Sequence, residues 1–217
     1  MNQLAVESLK QRLKPIVCVK GPDSNRMRRA AVVLILDPLR KEVSLLLVRR
    51  AVRESDPWSG QMALPGGYMT GHDSSVLDTA IRETQEEVGI NLIDHELLGR
   101  INDVRSAKRD LVIIPFVALL KTKVVLVLRK DEVAEADWIP INDLVRSSVI
   151  KRRIKTSKGE LEVDAMQYRD EIIWGLTLRM INDFLTRLND RIEIPPQESE
   201  SSKDNLMMNS SSSGLST

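Results

Sequence analysis

The chain has 217 residues, a net charge of +1, and 42% hydrophobic against 29% charged residues, the make-up of one ordinary soluble domain with a sizeable core. So small a net charge excludes a global basic field for nucleic acid, and no apolar run approaches the roughly 18 residues of a membrane helix. No charged start leads into an apolar stretch, so no secretory signal is expected, and the single cysteine, Cys18, excludes an internal disulfide and fits a reducing cytoplasm.

Leu4 to Leu13 has helix-like apolar spacing, ended by Pro15, and Gly21-Pro22-Asp23 is a turn. Arg26, Arg28 and Arg29 lead into Ala30–Leu36, an apolar run of strand length; after Asp37-Pro38, Glu42–Val48 supplies the second strand of a hairpin. Arg49, Arg50 and Arg53 follow that strand and precede the loop Asp56–Gln61, which contains Trp58. A short strand at Gln61–Leu64 then runs into a Gly66-Gly67 turn.

The next element is a helix. Leu77, Ala80, Ile81, Thr84 and Val88 fall on one stripe, Ser75 with Asp78 has the capping-box form, and Gly89 is a C-terminal stop. Glu83, Glu86 and Glu87 project from a second face in the last turn. Each like-charge pair at i, i+3 or i+4 costs about 0.2–0.5 kcal/mol, and the carbonyl end of the helix is already negative. Only Arg82 is close enough in sequence to offset them. A solvated charge run is the ordinary reading of acids on a helix, but crowding them at this end disfavours it. Carboxylates on one face beside a glycine turn suit a hard cation, Mg²⁺ or Mn²⁺.

Leu97–Val104 and Leu111–Leu120 read as strands joined by the polar loop Arg105–Asp110, and Val124–Leu128 continues the sheet. Glu132–Ile139 is a further short strand before Pro140, and Asn142–Val145 a helical turn. The basic stretch Ile150–Lys158 and Leu161–Met166 make a hairpin around Gly159. Lys151, Arg152, Arg153 and Lys155 have no interleaved aromatics, which favours a solvated strand face over nucleic-acid contact. Ile172–Leu188 is a long amphipathic helix with Ile173, Leu176, Leu178, Ile181, Phe184, Leu185 and Leu188 on its apolar side. Past Pro195-Pro196 the composition turns to Ser, Asn, Glu and Lys, and Gln197–Thr217 reads as a disordered tail. The layout is an α/β (α+β) layered domain over 27–194, with a helical lead-in over 1–26 and a Ser-rich tail over 195–217.

The segment Arg82-Glu83-Thr84-Gln85-Glu86-Glu87-Val88-Gly89-Ile90 meets the full core signature of the Nudix hydrolases, and the chain resembles that family over roughly Met27 to Leu188. Upstream, Gly67 is followed after five intervening residues by Asp73 and, after eight more intervening residues, by Arg82. This longer, Asp-containing form, with Leu64-Pro65-Gly66-Gly67 and Thr79-Ala80, is similar to the coenzyme A pyrophosphatase branch. Leu46-Leu47-Val48-Arg49-Arg50-Ala51 and Gly60…Leu64 meet a further motif of that branch in part, with Val48 for its Thr and Leu64 for its Phe. Trp174-Gly175-Leu176-Thr177 resembles the branch's closing run.

The resemblance implies a mixed β-sheet sandwiched between α-helices, and metal-dependent hydrolysis of a pyrophosphate in a small-molecule, nucleoside-diphosphate-linked substrate. Glu83, Glu86 and Glu87 match its metal or base positions, the Gly67 carbonyl is expected to face the metal, and Arg82 matches the arginine that orients the carboxylates. Asp73, Glu132 and Glu135 are candidates for a further carboxylate. Arg49, Arg50 and Arg53 are candidates for phosphate contact, and Trp58 for stacking on a base or pantetheine. His72 and His95 read as ordinary solvated side chains, and Trp138 and Trp174 as core. Coenzyme A or an acyl-coenzyme A is the leading substrate. ADP-ribose, nucleotide sugars, damaged nucleotides or nucleoside triphosphates are the alternatives, and a non-catalytic Nudix-fold binding module is the reading from another class. A cytoplasmic location is expected, with no nucleic-acid or membrane partner, and a homodimer is left open.

Overall fold

In the computed structural model, the described residues are 3–16, 27–53, 58–106, 110–156 and 159–188. Helix α1 (Gln3–Arg12) precedes strand β1 (Arg28–Asp37) and strand β2 (Ser44–Arg50). Strands β3 (Met62–Ala63) and β4 (Gly66–Tyr68) lead to helix α2 (Val76–Val88) and a 3-10 turn at Leu92–Asp94. Then come β5 (Glu96–Arg100), β6 (Val104–Ser106), β7 (Leu111–Leu119), β8 (Val133–Pro140) and α3 (Ile141–Arg146). Strands β9 (Val149–Thr156), β10 (Gly159–Tyr168) and β11 (Glu171–Trp174) precede helix α4 (Gly175–Leu188).

The main sheet runs β3-β2-β1-β7-β5, with β4 on β1, β6 on β7 and β8 on β2. It is mixed: β1 and β7 pair in parallel over Arg28–Leu36, whereas β1 with β2 and β2 with β8 are antiparallel. Side-chain alternation divides the core in two. Leu34 and Leu36 of β1, Leu45 and Leu47 of β2, and Val117 and Leu119 of β7 pack with Val6, Leu9 and Leu13 of α1 and Phe184 of α4. Ala31, Val33 and Ile35, with Leu46, Val48, Ile114 and Phe116, pack with Val76, Ala80 and Val88 of α2. A strand buried on both faces needs no polar alternation, which is why Ala30–Leu36 is a continuous apolar run. The expected sandwich of helices around a mixed sheet is what forms. The two-layer burial fixes α2 against one face, with its C-terminal half over β1 and β4.

Four expectations need correcting. Gly66-Gly67 is strand β4, paired with β1 at Val32 and Ala31, and not a turn. A Cβ on Gly66 would lie 2.1 Å from the Ala31 carbonyl oxygen, so the approach of the two strands requires glycine there. Val124–Leu128 adds no strand to the sheet. Its backbone is drawn to the end of α2, where the N–H groups of Val127 and Arg129 donate to the carbonyls of Val88 and Glu87, both at 3.0 Å. Those last carbonyls have no partner within the helix, so they compete successfully for the donors. The late helix starts at Gly175, because Ile172, Ile173 and Trp174 pair with Gln167, Met166 and Ala165 of β10. The strand stretch Leu97–Val104 breaks between Arg100 and Val104.

Strands β9 to β11 form a separate sheet. Lys151, Arg153 and Lys155 of β9 stand opposite Asp164, Glu162 and Glu160 of β10, and Lys151 reaches Asp164 at 2.7 Å. Part of the basic run is therefore answered across the hairpin. Cys18, Asp56 and the tail Gln197–Thr217 lie outside the described residues.

Candidate active site

Helix α2 begins as its sequence implies: the Ser75 hydroxyl accepts from the Asp78 N–H at 3.2 Å, and Gly89 closes it in the left-handed conformation. The buried stripe is rotated from the expected one. Val76, Thr79, Ala80, Thr84 and Val88 are buried, Leu77 and Ile81 are half-buried, and Glu87 is buried among them, 4% exposed. Glu83 lies one turn before Glu87 on the same side, while Glu86 points outward. The three glutamates therefore do not share one face.

Glu83 and Glu87 meet a third carboxylate, Glu132, and one oxygen of each lies within 4.8 Å of the other two. Glu132 comes from the turn between the Val124–Leu128 segment and β8. That turn is closed by the Glu132 and Val133 N–H groups on the Arg129 carbonyl, both at 2.8 Å, and tied to the end of β2 by the Ala51 N–H on the Glu132 carbonyl at 2.8 Å. The Gly66 N–H donates to Glu87 Oε2 at 2.8 Å. A Cβ on Gly67 would stand 2.5 Å from the Glu83 carboxyl carbon, so the glycine pair leaves room for the acids as well as for β1.

Burial pushes the Glu87 carboxyl up to about 7, with the charges of Glu83 and Glu132 adding to it and the Gly66 N–H and Arg50 opposing. Burial also raises Glu83, against the Arg82 guanidinium, whose Nη1 donates to it at 2.8 Å. Two acids held against their preferred charge state by protein alone are what a divalent cation would relieve. The donor set, all carboxylate oxygen, suits a hard cation.

Asp73 does different work. It is buried, accepts from Arg82 Nε and Nη2 at 2.9 Å each, and takes further bonds from the Thr70 N–H, the Thr70 hydroxyl and the Thr79 hydroxyl. These hold it well below the usual carboxylate range, with the Arg82 bond foremost. Asp73 thus anchors Arg82, and Arg82 in turn touches Glu83 and, at 3.4 Å, Glu86.

The remaining candidates divide. Arg49 pairs with Glu135 and, at 3.3 Å, with Glu171, so Glu135 lies on that ion pair and outside the Glu83–Glu87–Glu132 group. Arg53 donates through Nε to the Asp131 carbonyl at 2.8 Å and comes within 4.0 Å of Glu132. The Arg50 N–H bonds the Gln61 carbonyl at 3.0 Å, and its charge acts on Glu87. Trp58 and Trp174 are half-buried, the latter expected in the core, and Trp138, also half-buried, packs against the core that includes Val76 and Ala80 of α2, in line with expectation. His72 is exposed as expected, whereas His95 is buried, and its pKa is pushed down by that burial.

Sequence reading missed Arg129. It lies 3.6 Å from Glu86 and 3.5 Å from Glu132, and its only signal was a cation shortly before the acidic pair Asp131-Glu132.

A mixed sandwich carrying a carboxylate cluster on the helix after a Gly-Gly strand defines the class, and the comparisons agree. A NUDIX domain family model matches residues 26–158. The chain is 29% identical over 165 residues to an uncharacterised Nudix hydrolase, NudL, of Pectobacterium atrosepticum, covering 76% of this chain and 85% of that protein. It is 32% identical over 162 residues to a NudL of Yersinia enterocolitica (73% and 81% covered), and 28% identical over 206 residues to Nudix hydrolase 3 of Caenorhabditis elegans (85% of each). Among solved structures it is similar to a MutT/nudix family protein from Enterococcus faecalis, with a TM-score of 0.52, 21% identity, and 82% of this chain and 68% of that one covered. The chain belongs to the Nudix family and is an enzyme of its pyrophosphatase class.

No helix among the described residues is long and apolar enough to cross a membrane.

Proposed function

We propose that the protein is a Mg²⁺- or Mn²⁺-dependent hydrolase of a nucleoside-diphosphate-linked small molecule, with coenzyme A or an acyl-coenzyme A as the leading substrate. The observation that carries this reading is the meeting of Glu83, Glu87 and Glu132 within 4.8 Å, in surroundings that push Glu87 up to about 7. Glu83, Glu87 and Glu132 would hold the cation, with Glu86 at the rim as a further ligand. The cation, when bound, neutralises the diphosphate and makes water a better nucleophile at neutral pH.

The chain's own residues supply the rest. Asp73 fixes Arg82, and Arg82 fixes the Glu83 carboxylate, so the cluster keeps its spacing without help from the ligand. Glu132, less buried than Glu87, is the carboxylate suited to take the proton of the attacking water. The water oxygen bonds to one phosphorus, the P–O–P bond breaks, and the second phosphate leaves as an ester. Substrate choice falls to the loop around Trp58 and to Arg50, beside the cluster. The coenzyme A preference rests on the Asp73 spacing and on Leu64-Pro65-Gly66-Gly67. The single cysteine favours the cytoplasm.

The test is a panel of coenzyme A, acetyl-coenzyme A, ADP-ribose, a dinucleoside polyphosphate and nucleoside triphosphates, each with Mg²⁺, Mn²⁺ or a chelator. Cation-dependent cleavage with the highest kcat/KM on a coenzyme A is expected. Preference for ADP-ribose or a triphosphate would reject the substrate, and no product from any member would reject the hydrolase reading.

A further inference from the structure

The crowding of acids at the carbonyl end of α2 has an answer that the neighbouring sequence does not contain. Arg129, forty-two residues after Glu87, is fixed by its own backbone to that end: its N–H donates to the Glu87 carbonyl at 3.0 Å. Its guanidinium then spans the mouth of the cluster. Nη1 lies 3.6 Å from Glu86 Oε2 and 3.5 Å from Glu132 Oε1, and Nε lies 3.3 Å from Asp131 Oδ1. A cation at a helix C-terminus is favoured in itself, and here it also bridges a rim acid and a cluster acid.

Other cations near the cluster are placed differently. Of those singled out for phosphate contact, Arg49 is held by Glu135 and Glu171 and Arg53 by the Asp131 carbonyl, while the orienting Arg82 is clamped by Asp73. Among the described residues Arg129 makes its side-chain contacts at 3.3 to 3.6 Å, and its side chain is 45% exposed, so it can leave these carboxylates at small cost. A planar guanidinium so placed matches two oxygens of a phosphate.

We infer that Arg129 is a tethered counter-ion of the acid cluster that exchanges its carboxylate partners for the substrate's diphosphate once a divalent cation binds. In the metal-free protein it competes with the cation for Glu86 and Glu132. With those acids engaged elsewhere, it turns to the phosphate oxygens. The inference rests on the cluster being a cation site, and it makes Arg129 opposite in sign for the two ligands.

The experiment compares the full chain with Arg129→Ala and Arg129→Lys. Mn²⁺ affinity is measured without nucleotide by the electron paramagnetic resonance of free Mn²⁺, and α,β-methylene-ADP affinity at saturating Mn²⁺ by calorimetry. Arg129→Ala is expected to bind Mn²⁺ about threefold more tightly and the diphosphate about tenfold more weakly, with Arg129→Lys between it and the wild type. Both variants are expected to melt with the wild type, and if the alanine variant does not fold, the lysine variant carries the comparison. Weaker Mn²⁺ binding in the variants, or unchanged diphosphate affinity, would overturn the exchange while leaving the cation site standing. A wild type that binds no Mn²⁺ would overturn the cation site and the exchange with it.

Discussion

Asp73 and Glu87 are both buried carboxylates in contact with the Gly66–Ser75 stretch and helix α2, yet the protein treats them in opposite ways. Asp73 receives five hydrogen bonds, two of them from a guanidinium, and is held strongly ionised. Glu87 receives the Gly66 N–H and faces two other acids, and is pushed up to about 7. A buried charge that is satisfied belongs to the scaffold, and one left wanting belongs to the site. The difference also assigns each part of the signature: Arg82 with Asp73 sets the frame, and Glu83 with Glu87 supplies the function.

The largest separation of the two is expected from substitution. Glu87→Gln should lower kcat on the best substrate by about a thousandfold, roughly 4 kcal/mol of barrier, while the metal-free protein at pH 8 becomes no less stable. Asp73→Asn should do the reverse in kind, destabilising the fold by about 3 kcal/mol in urea titrations, because it removes the buried carboxylate that Arg82 Nε and Nη2 both bond. Equal losses of stability in both variants would erase the distinction.

The pH dependence should part them next. The folded protein holds the Glu87 proton more tightly than the unfolded chain does, so metal-free stability falls as pH rises from about 4.5 through about 7 and levels off above. The full effect is roughly 3 kcal/mol, and saturating Mn²⁺ should abolish it. Asp73 has the opposite sign: its contribution is present above the unfolded value near 3.8 and is lost as pH falls below it. Chemical denaturation at several pH values, with and without Mn²⁺, reads both limbs.

A smaller effect probes the room between them. An added Cβ in Gly67→Ala would press on the end of the Glu83 side chain, which can swing aside. Cation affinity should fall about tenfold, about 1.4 kcal/mol, with little change in melting temperature. The smallest effect is expected from Lys151→Ala on the exposed β9 hairpin, within about 0.5 kcal/mol in stability and none in kcat.

The helix, its caps and the first strands of the sheet were legible because they are written locally. Ser75, Gly89, the β1 run and the box spacing each act within a few residues. The different fates of Glu86 and Glu87, about 100° apart around the helix, were not, because they depend on which side of α2 meets β1 and β4, a matter of tertiary packing. Val124–Leu128 has strand composition, but the end of α2 offered its N–H groups better partners than a sheet edge did. Ile172–Trp174 fits a helix stripe and a strand equally well, and pairing with β10 decided between them. Glu132 was legible as a candidate, though not as the third member of the cluster. Arg129 had only the nearby acids Asp131 and Glu132 to mark it, since only the fold brings it to Glu86.

The central claim, that Glu83, Glu87 and Glu132 form a cation site held in readiness by burial, is tested most directly by calorimetric titration of the protein with Mn²⁺ at pH 7 in two buffers of different ionisation enthalpy. With Glu87 near its midpoint, the account predicts binding with release of about half a proton per site, shrinking towards zero at pH 9 and absent in Glu87→Gln. Binding without proton release at pH 7, or no binding at all, would contradict it.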